Sequence, residues 1–431
     1  MSRRTRPWAY RAIGSPLAMP PERLPALLEE IDAFIERELR PIEQEHPEYF
    51  DHRREFARTD VRRGGVPVRE WEELLVEMMR RADAAGLYRF PLPRELGGSD
   101  GTNREMAGIR EYLANKPLGL HSDLQTESSC VGNFPIVLVL HALGSEEQKE
   151  LIEPLLRHEV ACAFGLTEPN HGSDATWLET SARRDGPDWV INGAKRFNTG
   201  MHVARYDIVF ARTSGEAGDP RGITAFLVPT DAAGFEVLYH HWTYNMPSDH
   251  AEVSIRDVRV PDAAIVGEEG HGLAAAMLFV HENRIRQAAS SLGAAQFCVD
   301  RSVEYARERI VFGKPLAINQ AIQWPLVELQ TECAMLRGLI RDTAAAMDEH
   351  GGAAVSDQIS MCNYRANRLV CEAADRAIQV HGGIGYTRGM PFEHIYRHHR
   401  RYRITEGSEE VQIRNIARSL FGFGHRSPAR A

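Results

Sequence analysis

Between Ile322 and Met347 apolar residues return at steps of three and four: Ile322, Leu326, Leu329, Cys333, Leu336, Ile340, Ala344 and Met347. That spacing puts them on one face of a helix about seven turns long. A stripe of that length must be buried against other helices, so this part of the chain is a bundle. Pro325 falls near the helix start, where a missing N–H is tolerated. Leu292, Ala295, Val299, Val303 and Ala306 form a second seam just upstream, and two more helices are expected over 355–381 and 408–421.

Upstream the period changes. Trp189-Val-Ile-Asn-Gly follows an Asp185-Gly-Pro turn, Ile208-Val-Phe-Ala and Ile223-Thr-Ala-Phe-Leu-Val are short apolar runs, and Val253, Ile255, Val258 and Val260 nearly alternate. These read as strands. Before about residue 160 the pattern is helical again. Leu24, Leu27, Leu28, Ile31, Phe34 and Ile35 form a face that Pro41 is expected to stop, and Trp71, Leu74, Leu75 and Met78 form another before Gly86. Ser145 and Gln148 have capping-box spacing. Residues 43–68 are polar and read as a long loop or insertion. The expected fold is mainly α with a central β domain: a tail over 1–22, an N-terminal helical domain over 23–160, a barrel- or sandwich-like β domain over 161–268, and a four-helix bundle over 269–424. Helices, then strands, then helices is not the alternation of a doubly wound sheet.

The net charge of −9 argues against a nucleic-acid coat, although Arg397 to Arg403 (RHHRRYR) could face a small anion. The six cysteines form no C-x-x-C pair and read as reduced residues of a cytoplasmic protein. No apolar run is long enough to span a membrane. The Arg-rich opening lacks a secretory signal's apolar core and leaves an organelle transit peptide open.

Several motifs have a bland reading beside a functional one. Gly270-His-Gly-Leu-Ala-Ala fits a dinucleotide fingerprint, but a bundle follows it, so it reads as a turn into a helix. His394 and His398 are four apart without a third metal ligand; they read as part of a solvated or phosphate-facing surface, and no metal is expected. The loops 167–174 and 195–200 are turns or ligand-facing edges, and the glycines after Gln379 end a helix or let backbone approach a ligand.

Taken together and in order, GSEEQKELIEPLL (144–156), FGLTEPNHGSD (164–174), INGAKRFNTG (191–200), RERIVFGKPLAINQ (307–320), QVHGGIGY (379–386) and ITEGSEEV (404–411) resemble the acyl-CoA dehydrogenases. The first twenty residues and 43–68 fall outside the pattern. The resemblance implies FAD bound without a Rossmann motif. It implies that Phe164, Leu166, Thr167 and Ser173 border flavin and substrate, and that Phe197 and Thr199 lie along the flavin ring. Arg309, Phe312 and Gln320 match positions that hold the ADP half across a subunit interface. Gln379, Gly382 and Gly383 match the pyrophosphate loop, and Ser408 and Glu410 the adenine side. Ser173, Arg284 and Gly407 are expected near the substrate. An acyl-CoA substrate, an electron-transfer flavoprotein and a homotetramer or homodimer complete the expectation.

The chemistry accounts for the residue types. A thioester α C–H is a weak acid, so its removal needs a positioned carboxylate with a raised pKa and donors for the developing enolate oxygen. The resemblance places Glu406 as that base, with flavin N5 taking the β-hydride. Without the other motifs, Glu406 would read as part of a helix start with Ser408 as cap. Asn283 occupies the position where some relatives carry the base and cannot serve, and the neighbouring Glu282 points elsewhere on the helix. Arg284 suits a structural ion pair or the CoA side of the substrate equally. His398 stands where Asp is common, and 118–137, expected along the acyl tunnel, is polar in its first half, so a bulky, branched or polar acyl group is as suitable as a fatty chain. Two rivals share the scaffold: a nitroalkane oxidase- or monooxygenase-like flavoenzyme, which the retained Glu406 opposes, and a DNA-associated alkylation-response type protein, which the net charge opposes.

Overall fold

The computed structural model describes residues 22–124 and 127–422; residues 1–21 of the expected tail and 423–424 of the last segment lie outside them. The chain starts with α1 (Leu24–Phe34), continues through a wide π turn (Ile35–Leu39) and runs on as α2 (Arg40–Glu45). Pro41 therefore does not stop the helix. It sits in the first turn after the widened one, where a missing N–H and a bulky ring are accommodated.

Residues 43–68 are not a long loop. After α2 comes a 3-10 turn (Pro47–Tyr49), α3 (Arg54–Arg58), and β1 (Thr59–Asp60) paired antiparallel with β2 (Val66–Pro67). Two buried arginines anchor this segment. Arg58 lies 4.0 Å over the Trp71 ring and pairs with Asp123 at 3.2 Å, while Arg54 pairs with Glu393 near the C-terminus. The segment's charged residues made it look solvated, but these two carry stem and head inside. Five more helices complete this part: α4 (Arg69–Ala84), α5 (Asn103–Ala114), α6 (Pro135–Leu143), α7 (Glu146–Lys149) and α8 (Ile152–Leu156). The capping box of Ser145 and Gln148 at α7 is present.

The middle of the chain is one eight-stranded, largely antiparallel sheet. Its strands are β3 (Ala161–Gly165), β4 (Ser181–Asp185), β5 (Asp188–Thr199), β6 (Ala204–Arg212), β7 (Ile223–Pro229), β8 (Phe235–His240), β9 (His250–Pro261) and β10 (Ile265–Val266). The order is β10-β7-β6-β4-β5-β9-β8, with β3 parallel beside β6. Trp189, Phe226 and the alternating Val253, Ile255, Val258 and Val260 fill its core. Since β10 meets β7 antiparallel, the glycines at 270–272 open no parallel crossover; Gly270 N–H instead donates to Thr224 Oγ1 at 2.8 Å as the chain turns into the next helix.

That helix is α9 (Gly272–Glu308), 37 residues long. A short hairpin, β11 (Ile310–Val311) with β12 (Lys314–Pro315), leads to α10 (Gln320–His350), α11 (Ser356–His381), α12 (Phe392–Tyr402) and α13 (Glu409–Phe421). α9, α10, α11 and α13 form the expected bundle. α9 also touches β7 and packs against α5 and α6, so it meets all three parts of the chain. The six cysteines are free, five of them buried. Among the described residues no helix is long and apolar enough to cross a membrane.

Candidate active site

Glu406 lies in the turn between α12 and α13, with φ +55°, followed by Gly407 at +88°. Two left-handed residues in succession swing the chain sharply before α13 begins, and the second must be glycine: a Cβ there would lie 3.0 Å from Arg284 Nη2. Arg284 Nε donates to the Glu406 carbonyl at 2.8 Å, and the buried Gln412 Nε2 donates to the same oxygen and to Gly407 O, each at 3.0 Å. The sequence left Arg284 between an ion pair and the CoA side of the substrate; its guanidinium instead grips the backbone of the turn. Ser408 occupies the cap position of α13 without a side-chain cap bond, and Glu409 pairs with Arg368 and Arg403.

The Glu406 side chain faces away from that helix start. Its Oε1 accepts from Asn283 Nδ2 at 3.3 Å, and Asn283 Oδ1 accepts from Asn133 Nδ2 at 2.9 Å. Arg286 donates to Asn133 Oδ1 and pairs with Glu282 at 2.8 Å. A relay of amides thus fixes the carboxyl plane. Burial pushes the Glu406 carboxyl up to about 7, and the negative charge of Glu127 adds to the rise, against Asn283, Arg284 and Arg401. A carboxyl titrating there is suited to accept a proton near neutrality. The Glu406 backbone N–H has no partner among the described residues.

Sequence reasoning dismissed Asn283 as a base and missed its role as the base's donor. It also missed Glu127, Asn133, Arg110 and Arg286. These residues line a polar cavity beside Asn283. The one signal available was the polar first half of 118–137.

The other expected residues fall in two groups. Phe164 on β3 packs edge-on to Phe210, with Leu166 and Thr167 just beyond it and Ser173 exposed in the following loop. Arg196 N–H donates to Thr167 O at 2.9 Å, tying that loop to β5. Phe197 is held at φ +64° at a bulge in β5, half-exposed, its ring centroid 4.8 Å from that of His241, with Thr199 exposed beside it. Beneath them Lys195 pairs with Glu168 at 2.8 Å, and Asn198 donates to Asp207 at 2.5 Å, all buried. An exposed aromatic face, backed by a fixed polar floor, fits a flat ring with polar edges. In the second group Arg309, Phe312 and Gln320 surround the exposed β11–β12 hairpin, where Phe312 is fully exposed at φ +51°. Gln379, Gly382 and Gly383 lie exposed at the end of α11, where a Cβ on either glycine would meet nothing within 4 Å. Glu410 is exposed on α13.

The histidines of α12 overturn the surface reading of that stretch. His394, His398 and His399 are all buried, and burial pushes all three well below the usual imidazole range. His398 Nε2 meets Tyr402 Oη at 3.0 Å, and His399 Nδ1 meets Ser291 Oγ at 3.0 Å. Arg397 and Arg401 are engaged by Glu393, Glu55 and Glu127. RHHRRYR therefore buries its histidines and pairs Arg397, Arg401 and Arg403 with carboxylates, and loses its value as a sign of DNA or phosphate binding.

Models of the acyl-CoA dehydrogenase N-terminal, middle and C-terminal domains match residues 43–159, 163–258 and 270–421. The first match begins inside the segment that looked like an insertion. The chain is 33% identical over 378 residues to the 3-(aryl)acrylate reductase of Clostridium sporogenes, covering 85% of this chain and 96% of the relative. It is 30% identical over 347 residues to the caffeyl-CoA reductase–Etf complex subunit CarC of Acetobacterium woodii, covering 80% and 89%. The solved butyryl-CoA dehydrogenase of Megasphaera elsdenii superposes with a TM-score of 0.73 at 27% identity, covering 93% of this chain and 98% of that one.

Proposed function

The chain belongs to the acyl-CoA dehydrogenase family, and on that premise we propose that Glu406 is the base that takes the α-proton of an acyl-CoA thioester. The enzyme is an FAD-dependent oxidoreductase that introduces a double bond between the α and β carbons. FAD, when bound, supplies the two-electron acceptor that the protein's own side chains lack. Phe164, Leu166, Thr167, Ser173, Phe197 and Thr199 would hold its ring; Arg309, Phe312, Gln320, Gln379, Gly382, Gly383, Ser408 and Glu410 would hold the rest.

The observation that carries the reading is the raised, oriented carboxyl of Glu406. Asn283 presents it with one oxygen engaged and the other left for the substrate. Arg284 and Gln412 hold its carbonyl, and the Glu406 backbone N–H, without a partner among the described residues, is free to donate to the thioester oxygen. The same residues serve the reverse reaction, since the base that takes a proton in one direction returns it in the other. The nitroalkane-oxidase, monooxygenase and DNA-associated readings are not favoured: family and fold both point to acyl-CoA dehydrogenation. An electron-transfer flavoprotein as redox partner is supported by the reductase–Etf relative, and a cytoplasmic, reducing setting by the free cysteines. Self-association is supported by apolar side chains left in solvent, Phe312, Ile318, Trp324 and Val327 among them.

Anaerobic mixing of the holoenzyme with a panel of acyl-CoAs tests the assignment. The flavin of the wild type bleaches, and Glu406→Gln retains flavin but bleaches roughly 1,000-fold more slowly or not at all. Bleaching of that variant at the wild-type rate would remove Glu406 from the reaction.

A further inference from the structure

Asn198 and Asp207 meet inside the sheet, beneath the strand that carries Phe197 and Thr199. Both are fully buried, and Asn198 Nδ2 donates to Asp207 Oδ2 at 2.5 Å. The other oxygens of the pair, Asn198 Oδ1 and Asp207 Oδ1, are buried without a hydrogen-bond partner among the described residues. Two bare acceptors on bonded neighbours are costly in a dry interior. A proton on Asp207 Oδ1 changes that oxygen from acceptor to donor, and Asn198 Oδ1 is the acceptor its own partner offers. The local charges agree. Lys195 and Asn198 reach Asp207 from β5, Cys162 and Gly165 from β3, and Val228 stands opposite on β7. Lys195 is taken by Glu168 at 2.8 Å, and the Thr180 N–H also donates to Glu168, at 2.9 Å. One ammonium thus serves two buried carboxyl groups, and Glu168 holds it. Burial pushes the Asp207 carboxyl up to about 7, against the Asn198 amide, Lys195 and the Gly165 N–H. Gly165 leaves the pair its room: a Cβ there would lie 2.8 Å from Asp207 Oδ2 and 2.9 Å from Asn198 Nδ2.

Building on the reading that lays the FAD ring along Phe197 and Thr199, we propose that Asp207 is held as a neutral acid by Asn198 and that its charge state sets the flavin's reduction potential. A reduced flavin carries more negative charge than an oxidised one. A carboxylate in the floor behind the ring therefore opposes reduction, and a carboxylic acid does not. Asn198 lies between the two ring-facing residues in sequence, so the same pair also fixes the strand that presents them. Asp207 is a positioning residue here; it touches neither substrate nor base.

Two measurements on the holoenzyme test this. The first is the infrared spectrum of wild type with isotope-labelled aspartate carboxyls, which separates Asp207 from Glu406 and needs no variant to fold. A labelled C=O band of a protonated acid is present at acid pH and fades as pH rises through about 7. The second is the midpoint potential of the bound flavin across that range in wild type and in Asp207→Asn, whose amide N–H donates as the acid O–H does. Below about pH 6 the two potentials agree. Above neutrality wild type ionises and falls below the variant, with a roughly tenfold weaker hold on reduced relative to oxidised FAD, or about 30 mV for two electrons. A missing labelled band, or a wild-type potential already below the variant's at acid pH, overturns the neutral pair. A band that titrates while the two potentials agree at every pH overturns its coupling to the flavin. The ring placement fails separately: Phe197→Ala with unchanged flavin spectrum and affinity sinks it, and the coupling with it.

Discussion

At the scale of single residues, Glu406 gathers the most consequences. With a carboxyl near 7, the base is protonated at acid pH and ionised above neutrality, so the bleaching rate rises with pH through about 7. Glu127 contributes to that rise, so Glu127→Gln moves the acid limb of the stopped-flow pH profile to lower pH, by up to about one unit. An unmoved limb would mean that burial alone sets it. The same carboxyl bears on stability. Its folded pKa is raised from the ordinary 4.5, so the native state keeps a proton that the unfolded chain has lost, and stability falls as pH rises across that window. Glu406→Gln therefore melts higher than wild type above pH 7 and equally below about 4.5, read by thermal scans of the holoenzyme. Gly407→Ala strains the turn and presses on Arg284, and lowers the bleaching rate more than substrate affinity. The local string around Glu406 marked the base. Its donor is Asn283, 123 positions earlier, which is itself held by Asn133, a further 150 back, and no local pattern announces such a meeting.

At the scale of elements, the long seams were legible because a helix must show its period to be buried. The failures lie where charged residues go inside. α3 looked solvated but carries Arg54 and Arg58 inward, and α12 looked like a basic surface but buries three histidines. Arg58 and Asp123 have side chains 6% and 0% exposed, so removing one partner leaves a buried charge. Arg58→Met destabilises the protein by about 3 kcal/mol or more, measured by denaturant unfolding of the purified enzyme. A shift below about 1 kcal/mol would make this a surface-like pair. The Pro41 misreading has a similar lesson: proline punctuates a regular helix, and a widened turn just ahead of it removes the clash.

For the whole molecule, three-part architecture followed from the change of period, and the assembled cofactor site did not. Arg309, Phe312 and Gln320 lie exposed on and around the β11–β12 hairpin, outside the hydrogen-bond relay of Glu406. If a second copy completes the site there, Phe312→Ser with Trp324→Ser lowers the sedimenting mass and loosens FAD together. Wild-type mass with full FAD would place the contact elsewhere. α9, about 55 Å long, is wall to the helical part, floor to the sheet and spine to the bundle at once. A molecule pinned by one rod through all its parts has no seam along which to open like a book. Any hinge between two of those parts would have to bend that rod, so a site built where they meet keeps the walls it was folded with.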